Sequence, residues 1–476
     1  MNRIFRIAAI AVALGLGACG GGGGSQPAPQ PTPTPTPTPP PETPLAQLKR
    51  QTTQWQDAQL QALQGLSCPD ARCEAVTVRF SDGQFQPAKL KSDQTILVID
   101  TGGLDWPSAV TYRTRVKSQW EWDASGQIRQ RNASVSMPRY LAGMYASLSQ
   151  LRQQAPDAFI PAAWLEPLRA RVQQISPQVA QPYAGHGAVV LGYVAEHNPQ
   201  AELVVADVPD FASLFKTEFC AGNAEAFRQK VATASAQFRQ RVLEEQQVEY
   251  VNMSAGWELS RSIATSAERL CGGGLNRSQQ QALLRAHDPF MQQLFASERV
   301  LGVQAGSGDY QPDEHELDAL PLPNRVRVGF YNSGATPSTL DAQGVPRGAL
   351  PPVPDFQRNS LAILDVLVNF NFAGFGHQCQ PGPYTYAHPG LLGLGYGALC
   401  SEQTSWAAPT VLSRLVHLRE SRYAGQAWSA GLIGELKQAL TPRSCQHELA
   451  GAQGQCTLQD PLQHRQHELF RLGYLP

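Results

Sequence analysis

The sequence predicts an α/β fold with a mostly parallel central sheet and helices on both faces. Three observations carry that prediction. Short apolar runs stop at turn-forming residues, as Ile96-Leu97-Val98-Ile99 does at Asp100-Thr101-Gly102-Gly103. They are apolar at every position rather than at alternate ones, which marks strands covered on both faces. Stretches with apolar residues at helical spacing lie between them, and strands alternating with helices pair in parallel.

The elements follow in chain order. Residues 1–18 read as an export signal: Arg3 and Arg6 precede the apolar run Ile7 to Leu16, which is shorter than the about 20 residues a bilayer requires. Leu16-Gly17-Ala18-Cys19 resembles a bacterial lipobox, so Cys19 is the candidate lipidation site. An ordinary signal peptide with a chance cysteine is the alternative. Residues 19–44 form a tether: Gly20 to Gly24 are flexible, and the Pro/Thr alternation from Pro31 to Pro41 is extended at about 3.1 Å per residue. Resemblance to diderm lipoproteins, with Gly20 after the cysteine, places the body at the cell envelope, on the outer membrane.

Residues 45–93 form a lead-in with a helix carrying Leu45, Leu48, Trp55, Leu60 and Leu63. The body spans 94–476. Its strands are expected at Ile96–Ile99, Leu203–Asp207, Val248–Met253, Val300–Val303 and Val326–Phe330. Helices are expected after Gly185-His186-Gly187, over Ala224–Glu245, from Thr404 to about Leu418 and over Ala427–Leu440.

The formal net charge of −1 over 476 residues, with 42% apolar residues, excludes a highly charged disordered chain and argues against an electrostatic nucleic-acid binder. Besides Cys19 there are Cys68, Cys73, Cys220, Cys271, Cys379, Cys400, Cys445 and Cys456. An even set in an exported chain favours disulfides. Nearest neighbours are expected to pair: 68–73, 220–271, 379–400 and 445–456. No Cys-x-x-Cys spacing supports zinc, and no metal site is assigned.

Three residues at element ends carry chemistry together. Asp100 closes the first strand, His186 opens a helix, and Ser405 sits in Thr404-Ser405-Trp406-Ala407-Ala408-Pro409 at another helix start. Singly, each has an ordinary explanation: a turn former, a structural histidine, a helix cap. Jointly, they are the types a nucleophilic hydroxyl needs, with an imidazole to take its proton and a carboxylate to hold the imidazole. The order Asp, His, Ser is one of the known orders for this chemistry.

These motifs resemble the subtilisin-like serine peptidases, the subtilases. The aspartate motif reads Val98-Ile99-Asp100-Thr101-Gly102, the histidine motif Gly185-His186-Gly187-Ala188-Val189-Val190, and the serine motif Gln403-Thr404-Ser405-Trp406-Ala407-Ala408-Pro409. His388-Pro389-Gly390 resembles the family's Ala-Pro-Gly turn. The resemblance implies the subtilisin-like three-layer form of the fold and endopeptidase activity through an acyl-enzyme. It implies that Ser254, Ala255 and Gly256 line the substrate strand, with Ala305 and Gly306 also at the substrate. It places Ser307 beside the Ser405 N–H in the oxyanion hole.

Two departures bear on activity. Gln403 stands where a Gly is usual. Ser307 stands where an Asn donor is expected, and losing one such donor costs about 10²–10³ in rate. An active, slower enzyme is the expectation. The alternatives are a catalytically impaired relative that binds peptides or proteins, and a purely structural envelope lipoprotein. The stretch from Asp100 to His186 is longer than in compact subtilases, which implies an insertion over about 104–182, with Trp106, Trp120, Trp122 and Trp164 lining a cleft or packing an added subdomain. The chemistry requires no cofactor. Structural calcium is common in the resembled family, but no EF-hand pattern indicates it here. The expected partners are a peptide or protein substrate and, through the lipid, a membrane.

Overall fold

The structure is a computed structural model that describes residues 42–81, 85–154, 160, 162–176, 185–255, 259–295, 297–306, 317–331, 360–369, 387–389, 396–398, 404–440, 443–444 and 455–457. The lead-in begins with helix α1 (Pro44–Ala62), followed by strand β1 (Ala75–Arg79) and then β2 (Lys91–Ile99). In β2, Ile96 to Ile99 are fully buried, each contributing about 1.5–3 kcal/mol from burial.

The stretch expected as an insertion holds β3 (Val116–Trp122), β4 (Ile128–Gln130), β5 (Ser134–Pro138), α2 (Arg139–Gln154) and α3 (Ala162–Ile175). Next come α4 (His186–His197), β6 (Ala201–Ala206), α5 (Phe211–Leu214), α6 (Lys216–Cys220) and α7 (Ala224–Phe238). Arg239–Glu244 continues α7 as a π-helical turn. Then follow β7 (Tyr250–Met253), α8 (Leu259–Cys271), α9 (Arg277–Arg285), α10 (Asp288–Phe295), β8 (Leu301–Ala305) and β9 (Arg325–Tyr331). The remaining elements are β10 (Val366–Asn369), β11 (Ala387–Pro389), β12 (Tyr396–Ala398), α11 (Thr404–Arg422), α12 (Ala430–Leu440), β13 (Arg443–Ser444) and β14 (Gln455–Thr457).

Among the described residues, ten strands join one sheet in the order β13-β14-β10-β9-β8-β7-β2-β6-β3-β4. Every pairing from β14 to β3 is parallel, and the outermost β13 and β4 run antiparallel. The expected three-layer α/β architecture is therefore the one observed. Side chains alternate between its two faces. Ile96, Val98 and Tyr250 pack with the apolar faces of α4 and α11, whereas Leu97, Ile99, Val251 and Met253 pack with those of α7 and α10.

The stretch 104–182 is not set apart from the sheet, because β3 and β4 extend it beyond β6. Two of its four tryptophans pack inside rather than line a cleft, whereas Trp106 lies against Gly185, next to His186. Trp120 is buried, and Trp122 stacks on Phe238 with ring centroids 5.6 Å apart. The lead-in is stitched to the same stretch: β1 pairs with β5, and Leu48, Leu63, Leu66 and Phe80 belong to the main core. Two expected disulfides are present, Cys68–Cys73 and Cys220–Cys271. Cys379, Cys400 and Cys445 lie outside the described residues, and the backbone of Cys456 lies in β14.

Candidate functional site

Chain order along the sheet changes direction at β2. The chain moves from β2 to β3 and β6 on one side, then crosses to β7, β8 and β9 on the other. In open parallel sheets, ligands bind beyond the carboxyl ends of strands at such a switch point. Asp100 occupies that position. Ile99 is level with Ala206 and with Met253, so Asp100, Asp207 and Ser254 leave three neighbouring strands at the same height.

Asp100 is 2% exposed. Its Oδ1 accepts a hydrogen bond from the Thr101 N–H at 2.7 Å, and both carboxylate oxygens meet His186 Nδ1, at 2.9 and 3.0 Å. A carboxylate only accepts, so against it Nδ1 is the donor, and in the neutral ring Nε2 is then the acceptor.

The histidine reaches the carboxylate because the start of α4 lies directly on the loop after Asp100. A side chain at Gly187 would put its Cβ 2.3 Å from the Thr101 carbonyl oxygen, so only glycine allows the approach. Gly102, with φ +66°, supplies the left-handed turn on the other side. At the far end of α4, the buried Arg115 guanidinium donates to the carbonyls of Ala195 and Asn198, both at 2.8 Å. A cation there satisfies terminal carbonyls and complements the helix dipole.

Ser405 is the second residue of α11. Its hydroxyl donates to the Ser254 carbonyl at 3.1 Å. Among the described residues no hydrogen bond joins it to His186. Its neighbour Trp406 packs against the imidazole with ring centroids 5.1 Å apart, and on Tyr193 of the same α4 face at 6.4 Å. The three expected residues thus collect at one edge of the sheet, with the Asp–His hydrogen bonds formed and the serine hydroxyl turned to a main-chain oxygen.

The other expected residues divide. Ala255 follows Ser254 beyond β7, whereas Gly256, Ser307 and Gln403 lie outside the described residues. Ala305 ends β8, and the Gly306 N–H is already bonded to the Val328 carbonyl at 2.9 Å. A Cβ at Gly306 would stand 2.3 Å from Leu364 Cδ2 and 3.1 Å from the Val328 carbonyl oxygen, so the chain is closely packed there.

Sequence reasoning missed the acidic group beside the site. Arg131 bridges Asp105 at 2.5 Å and Asp207 at 3.6 Å, tying the loop after β2 to the end of β6. Burial pushes the Asp207 carboxyl above its ordinary range, and Arg131 opposes that shift. Among the described residues, no group of three or more His, Cys, Asp or Glu side chains is arranged to hold a metal ion.

Fold and site together define an α/β protein with an Asp–His pair and a helix-borne serine at the carboxyl edge of a parallel sheet. No protein-family model and no curated protein matches the chain. Among solved structures, a lanthipeptide protease is similar at a TM-score of 0.40 and 13% identity, over 80% of this chain and 89% of that one. Sphericase is similar at a TM-score of 0.33 and 14% identity, over 77% and 89%.

Proposed function

We propose that this protein is a subtilisin-like serine endopeptidase with Asp100, His186 and Ser405 as its triad. The observation that carries the reading is the bond from His186 Nδ1 to the buried Asp100 carboxylate at the strand switch point, with the residue after Ser405 packed on the same imidazole. Asp100 holds the ring in the tautomer whose Nε2 can accept a proton. This mechanism requires the Ser405 hydroxyl to turn from the Ser254 carbonyl toward Nε2 when substrate binds.

Ser405 Oγ then attacks the scissile carbonyl carbon while its proton passes to Nε2. The carbonyl π electrons move onto oxygen, where the Ser405 N–H and the Ser307 hydroxyl donate to the oxyanion. Collapse expels the amine, which takes the proton from the imidazolium and leaves the acyl-enzyme. Water, with its proton taken by the same nitrogen, hydrolyses the ester and restores Ser405. The main chain from Ser254 to Gly256 would pair with the extended substrate as an added strand.

A fluorophosphonate probe tests this reading. The wild-type protein is expected to label at one site, mapped to Ser405, and both Ser405→Ala and His186→Ala to lose the label. A folded wild-type protein that stays unlabelled would favour the non-catalytic peptide-binding alternative. Sequence features also support export and lipid anchoring of the protein at Cys19. Labelled palmitate fed to expressing cells should enter the wild type and not Cys19→Ala, and incorporation by the variant would remove that assignment.

A further inference from the structure

Pro409 lies inside α11, six positions into the helix. A proline has no N–H to give to the carbonyl four residues back. In α11 that carbonyl belongs to Ser405. The residue proposed to attack the substrate therefore has a main-chain oxygen without its helical partner, in the first turn of the helix that presents it.

The structure supplies that partner from β7. The Ser254 hydroxyl, on a residue 2% exposed, donates to the Ser405 carbonyl at 2.9 Å. A serine hydroxyl has a single proton. The Asn252 Nδ2, on a fully buried side chain, donates to the same Ser254 Oγ at 2.9 Å. With one contact filled by the amide's proton, the hydroxyl proton is directed to Ser405. In return, the Ser405 hydroxyl donates to the Ser254 carbonyl. The end of β7 and the start of α11 are thus joined by two reciprocal bonds, one through each side chain.

We infer that Ser254 is a positioning residue: its hydroxyl replaces the hydrogen bond that Pro409 removes from the Ser405 carbonyl, and so fixes the nucleophile's backbone relative to β7 and His186. This rests on the proposed peptidase reading for its catalytic consequence but not for the bond itself. It also gives the Ser254 side chain a role separate from any pairing of its main chain with substrate.

A double-mutant cycle tests it. Ser254→Ala keeps the main chain but removes the side-chain donor to the Ser405 carbonyl. Pro409→Ala restores an N–H to that carbonyl. The fluorophosphonate labelling rate of Ser254→Ala is expected to fall about tenfold or more, because small displacements of a reacting group are costly. Ser254→Thr, which keeps a hydroxyl, should recover most of the rate. In the Pro409→Ala background, Ser254→Ala should lose much less than it does alone. Thermal unfolding of the four proteins reads the same coupling without catalysis.

Equal losses from Ser254→Ala in both backgrounds, in rate and in melting temperature, would overturn the proposal. Coupling in melting temperature with no loss of labelling would overturn the positioning role and leave a structural bond. Failure of the wild type to label, with the thermal coupling present, would sink the peptidase reading and, with it, the catalytic consequence, while the bond itself would stand.

Discussion

Trp406 shows how one side chain can govern the distance between two helices. It follows Ser405 directly, is 3% exposed, and sits between His186 and Tyr193 on the facing side of α4. The contact limits the imidazole's swing, and an indole face favours a neighbouring cation by about 0.5–2 kcal/mol. If His186 takes the serine proton, the ring becomes such a cation beside Trp406. Trp406→Leu is therefore expected to label about tenfold more slowly than wild type with a fluorophosphonate, whereas Trp406→Phe keeps more of the rate. Wild-type labelling by a folded Trp406→Leu protein would show that the contact only fills space. The candidate triad was legible in the sequence because hydroxyl, imidazole and carboxylate chemistry limits the usable residue types. The Trp406 contact was not, since it depends on the separation of α4 and α11.

At the scale of elements, the fully apolar strands were the easiest to read, because burial on both faces leaves a run with no polar position. The helix expected over Ala224–Glu245 ends at Phe238 and passes into a π-helical turn through Glu244. Its apolar period persists across the change, so periodicity did not reveal it. The amino end of β7 has a property of its own. The Glu249 main chain is bonded on both sides, to Thr95 and to Leu301, at the amino-terminal end of this central strand. Burial raises its carboxyl from the ordinary 4.5 to about 7, and nearby Trp428, Arg419 and Arg299 oppose this only in part.

The direction of the pH effect follows. The unfolded chain releases this proton near 4.5, while the folded chain keeps it to about 7. Between those values the folded state binds more protons, so this group's contribution to stability falls as pH rises and stays lost above the window. Glu249→Gln removes the effect. Between about pH 5 and 8 the wild type should lose melting temperature relative to Glu249→Gln. Parallel pH curves for the two proteins would refute this.

At the scale of the whole molecule, the lead-in is part of the core: Leu48, Leu63, Leu66 and Phe80 are buried in it, and β1 forms a five-residue ladder with β5. At about 1.5–3 kcal/mol per buried side chain, their loss rivals the about 5–15 kcal/mol by which domains are stable. A chain starting at Gln94 is expected to show no cooperative unfolding by circular dichroism. A truncated protein that melts like the full one would show that these contacts add little to stability.

What the sequence determined by itself was the alternation of strands and helices and the candidate trio Asp100, His186 and Ser405, while nearest-neighbour cysteine pairing was an expectation that the structure meets at 68–73 and 220–271. Each is expressed in neighbouring residues through burial, spacing or reactivity. Only the tertiary structure decided that 45–93 and 104–182 share the central core, that Gly306 is held by Leu364 and Val328, and that Ser254 completes the helix Pro409 interrupts. Those pairings join residues far apart in the chain, and the hydrogen-bonding needs and free volume that select them exist only once the sheet has brought the segments together.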